Sequence, residues 1–222
     1  MPAPSLRVVD RLPAGGAGHG LIDGPAGSLE VRVERPADTP CGVAVIAHPH
    51  PLYGGTMDNK VVYMLARAAL DAGWIAVRFN FRGVGRSAGR HDDGRGEGED
   101  FAAVTRFARM TDTPLPLAVA GFSFGSYVAL AQAQALGAVG VLTVAPPLAY
   151  AGDTALPDPG GRWWMIHGDA DEVVDCADSV RRARATPHPP DELQIAPGVG
   201  HFFHGELTQV RAFAQRFFDA VI

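Results

Sequence analysis

Leu117-Ala118-Val119-Ala120-Gly121-Phe122-Ser123-Phe124-Gly125-Ser126-Tyr127-Val128-Ala129-Leu130 reads as a strand that turns directly into a helix. Leu117–Gly121 is an apolar run of strand length. Tyr127, Leu130 and Ala131 open a helical face at spacings of three and four. Between them lies Gly121-Phe122-Ser123-Phe124-Gly125, a G-x-S-x-G sequence. Five residues of that form arise by chance, and alone Ser123 would equally be a turn serine. The strand before and the helix after give the motif meaning. A turn this tight strains its central residue and exposes the side chain. It needs small neighbours two positions away on either side, and Gly121 and Gly125 supply them. The helix start behind Ser123 offers free N–H groups and a positive dipole end.

Outward from this turn, strands and helices alternate. Upstream, Val43–Ala47 reads as a strand, Asn59–Ala72 as a helix, Trp74–Phe79 as a strand and Glu99–Met110 as a helix. The last carries Phe101, Val104, Phe107 and Ala108 on one face. The elbow helix runs over Phe124–Leu136. Downstream come strand Val139–Val144, strand Arg162–His167, helix Val174–Ala185, strand Leu193–Ala196 and helix Glu206–Val221. Such alternation implies a parallel sheet with right-handed crossovers and helices on both faces. Ahead of it, Gly20–Ile22 and Ser28–Glu34 flank a Gly/Pro turn. Leu29, Val31 and Val33 alternate there with Glu30, Arg32 and Glu34, which predicts a half-exposed antiparallel hairpin at one edge. With no internal repeat and no dividing linker, residues 1–222 read as one α/β domain, with 1–18 expected to be poorly ordered.

Composition narrows the function. The chain has 222 residues, a net charge of −5 and no basic patch, which argues against nucleic acid as partner. Residues 113–152 contain no charged side chain, but Pro114, Pro116, Pro146, Pro147 and several polar residues break the run. It reads as buried sheet and helix, not a membrane span. No apolar leader opens the chain. Cys41 and Cys176 are too few for a disulfide framework and read as buried thiols in a reducing cytosol, a single bridge being the alternative. A cytoplasmic protein, monomeric or homodimeric and without membrane contact, is expected.

A serine hydroxyl is a weak nucleophile and needs a base that is itself oriented by a third group. Trp163–Ile166 runs into His167-Gly168-Asp169-Ala170-Asp171-Glu172, and Leu193–Ala196 runs into Pro197-Gly198-Val199-Gly200-His201-Phe202-Phe203-His204. Both loops follow the carboxyl ends of strands, where open parallel sheets place their sites. His201 is the base, with His204 in reserve. Asp171 leads Asp169 as the acid, because Asp169 suits a bond to its own loop backbone. Asp175 and Asp178 read as helix surface. Acyl transfer also needs N–H donors for the developing oxyanion. Phe124 N–H is one. The second comes from the loop His48-Pro49-His50-Pro51-Leu52-Tyr53-Gly54-Gly55, where the prolines have no N–H and His50 and Tyr53 both remain candidates. No Cys/His/carboxylate spacing there resembles a zinc set, so no metal and no cofactor is expected.

Together, His48-Pro49-His50-Pro51 with Gly54-Gly55, Phe79-Asn80-Phe81-Arg82-Gly83-Val84-Gly85-Arg86-Ser87, Gly121–Gly125, His167–Asp171 and Gly198–His201 make the chain resemble an α/β-hydrolase from about residue 20 onward. It is similar in particular to small, lidless, carboxylesterase-like bacterial serine hydrolases. The resemblance implies a three-layer α/β-hydrolase fold. The superfamily pattern H-G-x-x-D implies Asp171 as the acid, and G-x-x-H-x-F implies His201 as the base. Asp175 departs from the proline common after the acid loop in the wider superfamily.

Further expectations follow. Residues 145–161 leave only 17 positions, four of them Pro, where many relatives insert a helical cap, so no lid domain and an open site are expected. The loop Asn80–Gly98 should border that site. Its Gly83-Val84-Gly85-Arg86-Ser87-Ala88 fits a dinucleotide fingerprint, but turn-rich, charged sequence follows where a helix must open. Asp92, Asp93, Glu97, Glu99 and Asp100 read as a solvated loop and helix start. The reaction expected is cleavage of a small or short-chain carboxylic ester through an acyl-enzyme. A thioesterase, an acyl-peptidase and a non-catalytic binding module on the same fold are the alternatives.

Overall fold

The structure, a computed structural model, describes residues 12–222. Of the stretch 1–18, residues 1–11 thus lie outside the described residues, and Ala17 and Gly18 already belong to a strand. In chain order the elements are β1 (Ala17–Gly24), β2 (Gly27–Glu34), β3 (Gly42–Ala47), α1 (Lys60–Asp71), β4 (Trp74–Phe79), α2 (Arg95–Ala108), β5 (Leu117–Phe122), α3 (Phe124–Ala133), β6 (Gly140–Val144), β7 (Arg162–Gly168), α4 (Cys176–Arg184), β8 (Glu192–Ala196) and α5 (Leu207–Ala220). They build one eight-stranded sheet in the order β1-β2-β4-β3-β5-β6-β7-β8. β1 and β2 are antiparallel to each other, β2 is antiparallel to β4, and every other pairing is parallel.

The core divides by strand alternation. Val43, Val45, Leu117, Val119, Trp163 and Met165 face α2, α3 and α4, whereas Ala44, Ile46, Ala118, Ala120, Trp164 and Ile166 face α1 and α5. Successive side chains point to opposite sheet faces, so the pair Trp163-Trp164 is split between two cores. The central strands β3 to β6 are buried along their whole length. Their near-continuous Val/Ala/Ile/Leu runs are what a sheet covered on both sides requires.

The order in which strands are added to the sheet reverses around β3. β4 lies on one side of it and β5 on the other, and β6 to β8 continue outward from β5. The crevice at such a switch opens between the carboxyl ends of β3 and β5. The loop after β3 and the turn after β5 therefore meet. Between β6 and β7 the chain makes only a short 3-10 turn at Leu148–Ala151. Pro146 O accepts from Ser179 Oγ–H and Gly152 O from Arg182, which ties this connection to α4. Among the described residues there is no lid domain.

Three expectations need correcting. First, Glu97 and Asp100 are fully buried, not solvated. α2 begins at Arg95, four residues before the sequence suggests. Glu97 turns back to accept from the Asp92 and Gly94 N–H groups, and Asp100 receives Arg82 through N–H, Nε and Nη2 at 2.9–3.0 Å. Second, Glu30 of the hairpin is 5% exposed. Its carboxylate accepts from Asn80 Nδ2 and Arg86 N–H and so pins the loop after β4. Third, Cys41 and Cys176 are free and only half-buried.

Candidate active site

Ser123 stands at the end of β5 with φ 53° and ψ −125°. This conformation costs a non-glycine residue about 1–3 kcal/mol and persists only where surroundings over-determine it. Here they do. Ser123 N–H donates to Val144 O at 2.8 Å, and Ser123 O accepts from Ser126 N–H and Ser126 Oγ–H. A β-carbon on Gly121 would overlap the Gly125 backbone, and one on Gly125 would overlap the His48 carbonyl. The elbow is thus wedged against the end of β3.

His201 Nε2 lies 3.0 Å from Ser123 Oγ, and His201 Nδ1 lies 2.8 Å from Asp171 Oδ2. The carboxylate only accepts, so Nδ1 carries the proton and the Nε2 lone pair faces the serine. All three side chains are nearly or fully removed from solvent. Asp171 Oδ1 accepts from the Val173 and Val174 N–H groups at 2.9 and 2.7 Å. Burial opposes ionisation of Asp171, but its bonds from His167, His201 and these two amides outweigh that and hold its carboxyl well below the usual range.

Each carboxylate of the acid loop has a separate task. Asp169 Oδ1 accepts from Gly198 N–H at 2.6 Å, so it bonds the neighbouring loop and not its own, contrary to expectation. Glu172 Oε2 accepts from His201 N–H at 3.1 Å. Both fix the loop that carries His201. His204 is exposed and stacks near Phe202. Asp175 caps α4 by accepting from Asp178 N–H, and Asp178 pairs with Arg181 and Arg182. Both aspartates also line the serine cavity.

Sequence reasoning passed over His167. It is fully buried, and its Nε2 sits 3.0 Å from the same Asp171 Oδ2 and 3.2 Å from Val174 O. Both neighbours are acceptors, so Nε2 carries the proton, and Nδ1 is buried without a partner. Asp171 thereby has four donors. The available signal was the four-residue spacing of His167 and Asp171 across a strand end.

The loop after β3 forms the facing wall. His48 Nδ1–H donates to Pro49 O, and Nε2 accepts from Phe81 N–H at 3.0 Å. Burial of the ring pushes its pKa down to about 4, against the upward pull of the bond to Pro49 O. Tyr53 N–H donates to His50 O at 3.1 Å. The N–H groups of His50 and Phe124 have no acceptor among the described residues. Phe124 opens α3, where the first amides have no partner within the helix. A cavity of about 530 Å³ joins His50, Ser123 and His201 to an apolar mouth that includes Tyr53, Tyr150 and Phe202. His91, Asp93 and Gly94 border an adjoining cavity, so the loop after β4 edges that neighbour and not the serine cavity itself. Among the described residues no helix is long and apolar enough to cross a membrane.

Comparison with known proteins identifies the family. The X-Pro dipeptidyl-peptidase (S15) family model matches residues 23–175, a stretch that includes Ser123 and Asp171 and ends before His201. An α/β serine hydrolase homologue from Coxiella burnetii is 40% identical and superposes with a TM-score of 0.85, over 90% of this chain and 96% of its own. An α/β serine hydrolase without a lid from Xanthomonas campestris is 38% identical, also at 0.85, over 90% and 92%. An uncharacterised protein of Rickettsia prowazekii is 32% identical over 82% of this chain and 80% of its own. Relatives and fold place the chain in the α/β-hydrolase superfamily, and the matching family model places it within that superfamily in the X-Pro dipeptidyl-peptidase (S15) family.

Proposed function

We propose that this hydrolase cleaves carboxylic esters through an acyl-enzyme, with Ser123 as nucleophile, His201 as base and Asp171 as orienting acid. The observation that carries the reading is the continuous chain from Ser123 Oγ to His201 Nε2 at 3.0 Å and from His201 Nδ1 to Asp171 at 2.8 Å. His201 takes the hydroxyl proton as Ser123 Oγ attacks the carbonyl carbon. The resulting oxyanion accepts from the N–H groups of Phe124 and His50. Tyr53 is the weaker of the two loop candidates, because its N–H is already committed to His50 O. His201 then gives its proton to the leaving alcohol. Water, deprotonated by the same ring, attacks the acyl-enzyme and releases Ser123 and the acid. The site's two free amides and buried imidazole match an acyl-transfer transition state, in which negative charge develops on one oxygen.

Hydrolysis of Xaa-Pro amide bonds is the second reading, favoured by the description of the matched family. A p-nitrophenyl ester series run beside Xaa-Pro p-nitroanilides and thioester analogues separates the two. A fluorophosphonate probe should label wild type at Ser123 and leave Ser123→Ala unlabelled. That variant should fold normally and lose about 10⁴-fold or more in kcat. Retained turnover in folded Ser123→Ala would place the chemistry elsewhere.

A further inference from the structure

Beside the serine cavity lies a second one of about 550 Å³, within the range of small-molecule sites. The two share His50 and Tyr150 as a common wall. The second is walled by rings. His50 packs against His91 and Phe124 at centroid distances of 4.7 and 5.0 Å. Phe124 reaches Tyr150 at 6.3 Å, and Tyr150 meets Tyr127 at 5.7 Å. Val128 and Ala131 of α3 complete the floor. His50, Phe124, Tyr127 and Tyr150 present neutral rings, and His91 pairs with Glu97 at 2.9 Å and Asp93 at 3.5 Å. Burial lowers the His50 pKa, and its Nδ1 accepts from Leu52 N–H at 3.2 Å. Burial also raises the phenol pKa values of Tyr127 and Tyr150. The two formal charges, Asp93 and Arg95, are of opposite sign.

Resting on the ester-hydrolase reading, we propose that this slot binds the acyl portion of the substrate as an aryl ring joined to the carbonyl by a short spacer. The side follows from proton delivery. The leaving oxygen must lie against His201 Nε2, and His201, Phe202 and Val173 all line the serine cavity and not the slot. The acyl group is directed the other way, past Phe124, whose N–H follows the nucleophile. The spacer follows from the lining, because Ser123 does not border the slot and the ring must sit beyond the carbonyl carbon. The ring preference follows from the walls. Aromatic pairs in offset or edge-on contact gain beyond their buried area, which a flexible alkyl chain does not.

The test uses p-nitrophenyl esters with one leaving group and four acyl groups: acetyl, hexanoyl, benzoyl and 3-phenylpropanoyl. In wild type, kcat/KM for 3-phenylpropanoyl should exceed that for hexanoyl and for benzoyl by about tenfold, the gain of one or two ring contacts. Ala131→Trp fills the slot from the exposed side of α3 and should bring the phenylpropanoyl-to-hexanoyl ratio close to one. Tyr150→Ala, on an exposed turn, removes one ring without touching the core and should lower the same ratio about threefold or more. Equal or better turnover of hexanoyl in wild type overturns the proposal, as does a ratio that neither variant changes. Titration of Ser123→Ala with 3-phenylpropanoate separates this failure from that of the hydrolase reading. Saturable binding weakened by Ala131→Trp in the same background, with no turnover of any ester by wild type, would sink the ester reading and leave the slot standing. Turnover without such binding would do the reverse.

Discussion

At the scale of single residues, Asp171 shows how little freedom the site has. Two amides fill one carboxylate oxygen, and His201 and His167 share the other. His167 does not reach the reacting atoms and acts as a positioning residue. Its bond helps fix the orientation of Asp171. His167→Leu deletes that donor. Looser orientation should cost about tenfold or more in kcat with KM little changed. Gln places its amide nitrogen near the imidazole Nε2 position, so His167→Gln should restore most of the rate. An equal loss in both variants, or a loss carried by KM alone, would reduce His167 to a packing residue.

At the scale of elements, the chemistry-bearing turns were legible and the buried charges were not. The strand before Ser123 and the helix after it follow from a simple apolar period, and Gly121 and Gly125 mark the tight turn. Asp171 and His201 could be placed because both lie just past apolar strands. Glu97 and Asp100 were misread because charge suggests water, and nothing local shows that Arg82, eighteen positions earlier, lies over Asp100. The turnback of Glu97 onto Gly94 was in principle readable as a helix start. His167 escaped because its partner is a residue that already had a role. The Arg82–Asp100 pair fastens the start of α2 to the loop after β4, which borders the adjoining cavity. Asp100→Ala would leave the guanidinium, which is 9% exposed, without its main partner. Breaking such a pair should cost about 3–5 kcal/mol. Urea unfolding of wild type and Asp100→Ala measures it, and a loss under 1 kcal/mol would show that Glu99 or water replaces the pair.

At the scale of the whole molecule, the switch in strand order brings the β3 loop to the elbow, and His48 joins that loop to Phe81 beyond β4. The clamp uses a neutral ring and therefore ties stability of the entire domain to pH. His48 has a folded pKa of about 4, against an ordinary histidine value of about 6.5 in the unfolded chain. Between these values the unfolded state binds the proton and the folded state does not. Stability is thus retained above about pH 6.5 and falls as pH drops toward 4, by about 3 kcal/mol in total from this group. Asp171 has a depressed carboxyl, so its contribution persists through this window and is lost only at lower pH. Unfolding in urea at pH 7 and pH 5 should therefore show wild type weaker at pH 5 by about 2 kcal/mol. His48→Gln keeps a polar group against Phe81 N–H but cannot titrate, so it should be less stable at pH 7 and lose much less on going to pH 5. An equal loss in the two proteins would assign the acid sensitivity to other groups and leave His48 as a clamp alone.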